Sequence, residues 1–220
     1  MSSSDNSINE TIESLRSVGF AVEPERIIIT IPNAVKVLRS GIKDYFDNVG
    51  GKFKNVVFTD SHGNEHHPYQ DVAEWLSNNE GKGLLLYGSC GLGKTMLGRY
   101  VIPKIIYHNT LPHKITHCYS MTELNNPDTL NEALKYAILS IDDVGVEEQM
   151  ITYGQRRNAF DEIMDSAEKQ GKLIIITTNL NASDIERRYG TRTLDRIKAL
   201  TKRVLFRLYD ENRNTISLRT

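Results

Sequence analysis

The 220-residue chain is long enough for one substantial core and a small extra segment, and its 39% hydrophobic and 25% charged residues exclude wholesale disorder. No apolar run approaches the roughly 20 residues that span a bilayer. The start Met1-Ser2-Ser3-Ser4-Asp5-Asn6 is too polar for a secretory signal, and Cys90 and Cys118 are too few for a disulfide scaffold, so the cytoplasm is the expected location. The net charge of −1 hides an asymmetry: residues 1–80 carry 7 Lys+Arg against 12 Asp+Glu, and residues 151–220 carry 14 against 9.

In chain order, Ile8, Ile12 and Leu15 predict a short amphipathic helix ending near Gly19. The β-branched run Ile27-Ile28-Ile29-Thr30-Ile31, bounded by Pro32, predicts a strand. Asn33 is placed to cap a helix with Val35, Leu38, Ile42, Tyr45 and Phe46 inward, and Gly50-Gly51 stops it. A strand over 53–58 and a turn at Ser61-His62-Gly63-Asn64 follow. From Tyr69 onward strands alternate with helices, the pattern of an α/β domain with a largely parallel sheet. Its strands are expected over 83–87, 114–119, 137–141, 173–177 and 204–208. Pro103 should kink the helix that begins at Lys94. Phe160, Ile163, Met164 and Ala167 mark another helix, closed by Gly171. His62, His66 and His67 lack the Cys or acidic partners of a recognisable metal site.

Three strand ends carry the chemistry. Gly88-Ser89-Cys90-Gly91-Leu92-Gly93-Lys94-Thr95, followed by Met96, has the spacing of a phosphate loop, set between an apolar strand and a helix. Its glycines let backbone N–H groups curl around phosphate oxygens, and the helix N-terminus adds a favourable dipole. Lys94 then serves the β- and γ-phosphates of ATP, and the Thr95 hydroxyl ligates Mg²⁺. The strand before Asp142-Asp143 ends in two carboxylates, at the edge where ligands meet an open α/β sheet. Asp142 suits Mg²⁺ through water, and Asp143 suits orientation or activation of the attacking water. Asn179, after Leu173-Ile174-Ile175-Ile176-Thr177-Thr178, suits the γ-phosphate or that water.

These motifs, followed by Tyr189-Gly190-Thr191-Arg192-Thr193-Leu194-Asp195-Arg196-Ile197, resemble the AAA+ ATPases of the DnaC/IstB type over about residues 70–213. The resemblance implies a P-loop AAA+ core with a five-stranded parallel sheet in the order 5-1-4-3-2, Asn179 as sensor 1, and Arg196 as the finger reaching a neighbouring subunit's ATP. It also implies no C-terminal lid domain. The family's Gly-x-Ser-x-Arg is reduced here to Tyr209-Asp210-Glu211-Asn212-Arg213. The short stretch from Ser120 to Tyr136 supports no transfer of DNA-contacting residues. A boundary is expected at residue 68, with a small α+β segment over 1–68 suited to partner binding and the ATPase domain over 69–220.

The expected function is that of an ATPase, active as a homo-oligomer, that assembles on single-stranded DNA and delivers a replicative helicase held by the N-terminal 80 residues. The segment 187–207, with eight basic residues and one acid, would face the DNA phosphates, unless it is a solvated helix face. Arg192 is the substitute finger. Two alternatives stand beside this reading: a transposition helper acting on duplex DNA, and a nucleotide-gated binding module with little turnover.

Overall fold

The computed structural model describes residues 11, 14, 23–51, 58–59, 65–110, 114–147, 150–152, 155–209 and 215–216. The helix expected around residues 8–15, the turn at 61–64 and the segment 210–213 lie outside those residues, apart from Thr11 and Ser14.

Residues 23–31 run extended but join no sheet. Ile29 and Ile31 are buried, as alternation requires, yet their backbone bonds go to the far end of a helix. Ile29 N–H donates to Asn79 Oδ1 at 2.7 Å, Asn79 Nδ2 donates to the Ile27 carbonyl at 3.0 Å, and Ile31 N–H donates to the Leu76 carbonyl at 3.0 Å. The β-branched run is a sound sign of extended backbone; Asn79 replaces the sheet partner.

Helix α1 (Ala34–Val49) follows, and Gly50 ends it in the left-handed conformation, as expected. Asn33 is itself left-handed (φ 54°) and makes no side-chain cap, while Tyr45 and Phe46 pack against the core as expected. Ala34, Leu38 and Ile42 are buried and Val35 is 47% exposed. Strands β1 (Phe58–Thr59) and β2 (Glu65–His66) form an antiparallel hairpin. Helix α2 (Pro68–Ser77) leads to β3 (Gly83–Gly88).

After the phosphate loop the chain makes a π-helical turn, Met96–Val101, and then α3 (Ile102–Asn109). The break expected at Pro103 takes this form. Ile102 N–H reaches back five residues to the Leu97 carbonyl, and Pro103 stands in the first turn of α3, where proline is tolerated.

The remainder is β4 (His117–Ser120), α4 (Met121–Leu124), α5 (Pro127–Ala133), β5 (Ile138–Val144), the hairpin β6 (Met150–Thr152) and β7 (Gln155–Arg157), and α6 (Ala159–Gln170). Then come β8 (Leu173–Thr178), α7 (Ala182–Tyr189), α8 (Thr191–Leu200), β9 (Thr201–Phe206), and the hairpin β10 (Leu208–Tyr209) and β11 (Thr215–Ile216). Strand β9 starts three residues before the expected 204, and the β6–β7 hairpin had no sequence signal.

The five-stranded sheet is parallel in the order β4-β5-β8-β3-β9, which is the implied 5-1-4-3-2 read from the other edge. Period-two alternation distributes its side chains. Leu84, Leu86 and Ile175 face one layer, with α1, α2 and the π turn; Leu85, Ile174 and Ile176 face the other, with α4 to α8. Ile29, Ile31, Ala34, Leu38 and Ile42 belong to the first layer, so they are part of the core built on the five-stranded sheet. Gly41 marks the closest approach: a Cβ there would lie 3.1 Å from Val101 and 3.2 Å from Ile105. No described helix is long and apolar enough to cross a membrane.

Candidate functional site: the phosphate loop and the carboxylates beside it

The sheet is parallel, so the loop after β3, the carboxylates at the end of β5 and Asn179 after β8 share one edge. Strands β5 and β3 flank β8, with Leu86 opposite Thr177 and Ile141 opposite Ile176. Topology thus brings the three predicted strand ends together.

The loop is fastened on both sides. Ser89 N–H donates to the Phe206 carbonyl at the end of β9 at 2.8 Å, and a Cβ at Gly88 would lie 2.1 Å from that oxygen. At the other side the Tyr69 hydroxyl donates to the Leu92 carbonyl at 3.2 Å. The Tyr69 ring meets Phe206 edge-on at 5.6 Å, and burial pushes its phenol up to about 12, so it remains a donor at neutral pH. Gly93 has φ 90°, and a Cβ there would stand 2.7 Å from the Tyr69 hydroxyl. Sequence reading missed Tyr69; it lies 19 residues before Gly88 with no motif around it.

Lys94 is 6% exposed, and its Nζ donates to the Gly88 carbonyl at 3.0 Å and the Ser89 carbonyl at 2.6 Å. Its charge is therefore delivered into the loop by the loop's own backbone. Cys90 and Gly91 are exposed, and Ser89, Gly93 and Thr95 are partly buried. The side chains of Leu92 and Met96 are buried in the core and anchor the loop.

Strand β5 carries an irregularity between Ile141 and Val144 that contains both carboxylates. Asp142 is 5% exposed and accepts a hydrogen bond from Thr177 Oγ1 at 2.5 Å. Asp143 is left-handed (φ 56°), and its N–H donates to the same Thr177 oxygen at 3.0 Å. Asn179 is exposed, directly past the strand end. The Asp142 carboxylate and the Thr95 hydroxyl are hard oxygen donors. That set suits Mg²⁺, which keeps several waters and takes phosphate oxygens alongside one or two protein ligands. Among the described residues no cluster of three or more His, Cys, Asp or Glu offers an all-protein cage.

Downstream, Gly145 N–H donates to Glu147 Oε2 at 2.9 Å, and the Tyr189 hydroxyl and the Arg188 guanidinium also donate to Glu147. This ties the chain leaving β5 to the end of α7.

Arg196 does not stand free. It is 7% exposed; Nε donates to Glu168 at 2.7 Å and a terminal nitrogen to Asp165 at 2.5 Å. Both acids lie in the second half of α6, the half leading back to the start of β8 and away from the phosphate edge. The predicted finger is thus engaged within its own chain, because α6 presents two carboxylates to that face of α8. Arg192, in the first turn of α8, has an 80% exposed side chain and stands 3.9 Å from Asp165. The basic segment is likewise largely matched: Arg187 pairs with Asp184, Arg188 with Glu147, Lys198 with Asp195 and Lys202 with Glu74.

No family model matches the chain, and no curated protein matches it. Among solved structures, a DnaC helicase loader is similar over 74% of this chain and 99% of its own, with 22% identity and a TM-score of 0.55. DnaI (21% identity, 56% of this chain and 72% of its own, TM-score 0.45) and AMPPCP-bound DnaA from Aquifex aeolicus (19%, 74% and 53%, 0.46) are weaker likenesses. With the sheet order and the helices around it, the likeness to the DnaC structure shows that the two chains share a fold.

Proposed function

We propose that this chain is a helicase-loader-like AAA+ ATPase of DNA replication, which binds ATP–Mg²⁺, assembles with copies of itself on single-stranded DNA and delivers a replicative helicase. The observation that carries the nucleotide half is the single sheet edge shared by the phosphate loop with Lys94, the carboxylates of Asp142 and Asp143, and Asn179. The residues have separable roles. Loop N–H groups and Lys94 hold phosphates, Thr95 and Asp142 hold Mg²⁺, and Asp143 and Asn179 orient water toward the γ-phosphate. Mg²⁺, when bound, draws negative charge from the phosphate oxygens. Arg192, exposed on the first turn of α8, is the side chain best placed to complete a neighbour's site; Arg196 holds the helix that presents it.

The partner half is supported by the DnaC likeness in fold. Within the expected N-terminal segment, Ile29, Ile31, Ala34, Leu38 and Ile42 are committed to the core, so the helicase contact we propose falls on other parts of that segment. One observation favours the binding-module alternative: Asp143 is a short carboxylate on a left-handed residue, a geometry that also suits holding nucleotide without rapid turnover. Co-elution with the hexameric replicative helicase of the source cell, in ATP and in ADP, tests the proposal. Association that depends on nucleotide and weakens when residues 1–22 are removed supports it. No association in either nucleotide, together with a preference for duplex DNA, moves the assignment to a transposition helper.

A further inference from the structure

We infer that Thr177 is the positioning residue for both carboxylates of the site, an inference that rests on the ATPase reading above. Its side chain is fully buried on β8, between the strand that feeds the phosphate loop and the strand that ends in Asp142-Asp143. A threonine hydroxyl has one proton to donate and lone pairs to accept. Here the proton goes to Asp142 Oδ1 at 2.5 Å, and a lone pair takes the Asp143 N–H at 3.0 Å. One oxygen atom therefore sets the rotation of the first carboxylate and the backbone of the second.

The second bond is the more telling. Asp143 leaves the ladder at the bulge, so its N–H has no strand to pair with, and a left-handed conformation in a non-glycine residue persists only where the surroundings hold it. The Thr177 hydroxyl supplies such a hold at the Asp143 N–H. The first bond occupies Oδ1 of Asp142. The methyl group acts separately. It packs on the nucleotide-loop helix, where a Cβ at Gly98 would lie 2.6 Å from Thr177 Cγ2. Ser140, on the carboxylate strand, donates to the Gly98 carbonyl at 2.7 Å beside it. Hydroxyl and methyl can thus be removed one at a time.

Thr177→Val keeps the methyl contact and loses the hydroxyl, whereas Thr177→Ser keeps the hydroxyl and loses the methyl. Three readouts are taken: binding of a fluorescent ATP analogue without Mg²⁺, the Mg²⁺ concentration that half-maximally tightens that binding, and turnover. In Thr177→Val, binding without Mg²⁺ stays near wild type, the Mg²⁺ requirement rises several-fold, and turnover falls about tenfold or more. Thr177→Ser stays within about threefold of wild type on all three. Thr177→Ala, which removes the hydroxyl without adding an apolar group beside Asp142, follows the valine variant and serves in its place if that variant does not fold. Equal loss in Ser and Val, or greater loss in Ser, would make the contact one of packing and overturn the inference. A Val variant with unchanged Mg²⁺ requirement and turnover overturns it too. If wild-type protein lacks turnover altogether, the ATPase reading fails by itself, and the Mg²⁺ requirement for nucleotide binding still decides the role of Thr177.

Discussion

Arg192 and Arg196 stand one helical turn apart on α8 and have opposite surroundings, 80% and 8% side-chain exposure. Replacing Arg196 by alanine removes two charge-assisted bonds, but Asp165 and Glu168 are 32% and 47% exposed and regain water. The expected cost is about 1–3 kcal/mol of stability, read by denaturant unfolding. Arg192→Ala should cost under about 0.5 kcal/mol and lower turnover in the assembled state by about 10³. The reverse pattern would restore Arg196 as the finger. Asp161 offers a pH test at the same scale. Burial raises its carboxyl above the usual range despite a hydrogen bond from Thr193 and the charge of Arg196. A folded-state pKa above the unfolded one favours folding below the unfolded pKa, and that contribution is lost as pH rises through the folded pKa. Asp161→Asn should therefore melt above wild type at pH 7, with the gap closing toward pH 4; equal melting at both values would contradict it. The sequence marked Arg196 by its motif, but the acids that capture it lie 28 and 31 residues away, on a helix whose rotation only packing decides.

At the scale of elements, the π turn Met96–Val101 is seated against β8 and β5 through Gly98. Alanine at 98 would force its Cβ into Thr177 Cγ2, and we expect a loss of about 1–3 kcal/mol. Adding Thr177→Ser removes the obstructing methyl, so the double variant should recover most of that loss in thermal unfolding; additive losses would place the strain elsewhere. The phosphate loop, the carboxylate strand and the largely parallel α/β character were legible because each depends on local pattern: glycine spacing, apolar runs, and strands alternating with helices; the sheet order came only from the family resemblance. Pro103 announced an interruption but not its width, since a kink and a π turn solve the same missing N–H. The run from Ile27 to Ile31 announced extended backbone but not its partner, Asn79, about 50 residues on.

For the whole molecule, part of the N-terminal region belongs to the core. Residues 29–42 bury apolar surface against Leu97, Val101 and Ile105, directly behind the phosphate loop. Removing residues 1–68 would expose that layer, and we expect such a chain to be insoluble or unfolded. A folded, ATP-binding fragment 69–220 would show instead that the ATPase domain begins where the motifs do. Charge behaves similarly. The basic excess toward the C-terminal end is real in sequence, but Glu74, Glu147, Asp165 and Glu168 fold back onto it. Counting charges along the chain cannot reveal such pairing.

The central claim, a phosphate-loop ATPase completed between copies of the chain, is tested most directly by ATP turnover per molecule across a range of protein concentrations, beside Lys94→Ala. We predict specific activity that rises with concentration and is absent from the Lys94 variant. Turnover independent of concentration would contradict completion of the site by a neighbour, and turnover equal in the Lys94 variant would contradict the site itself.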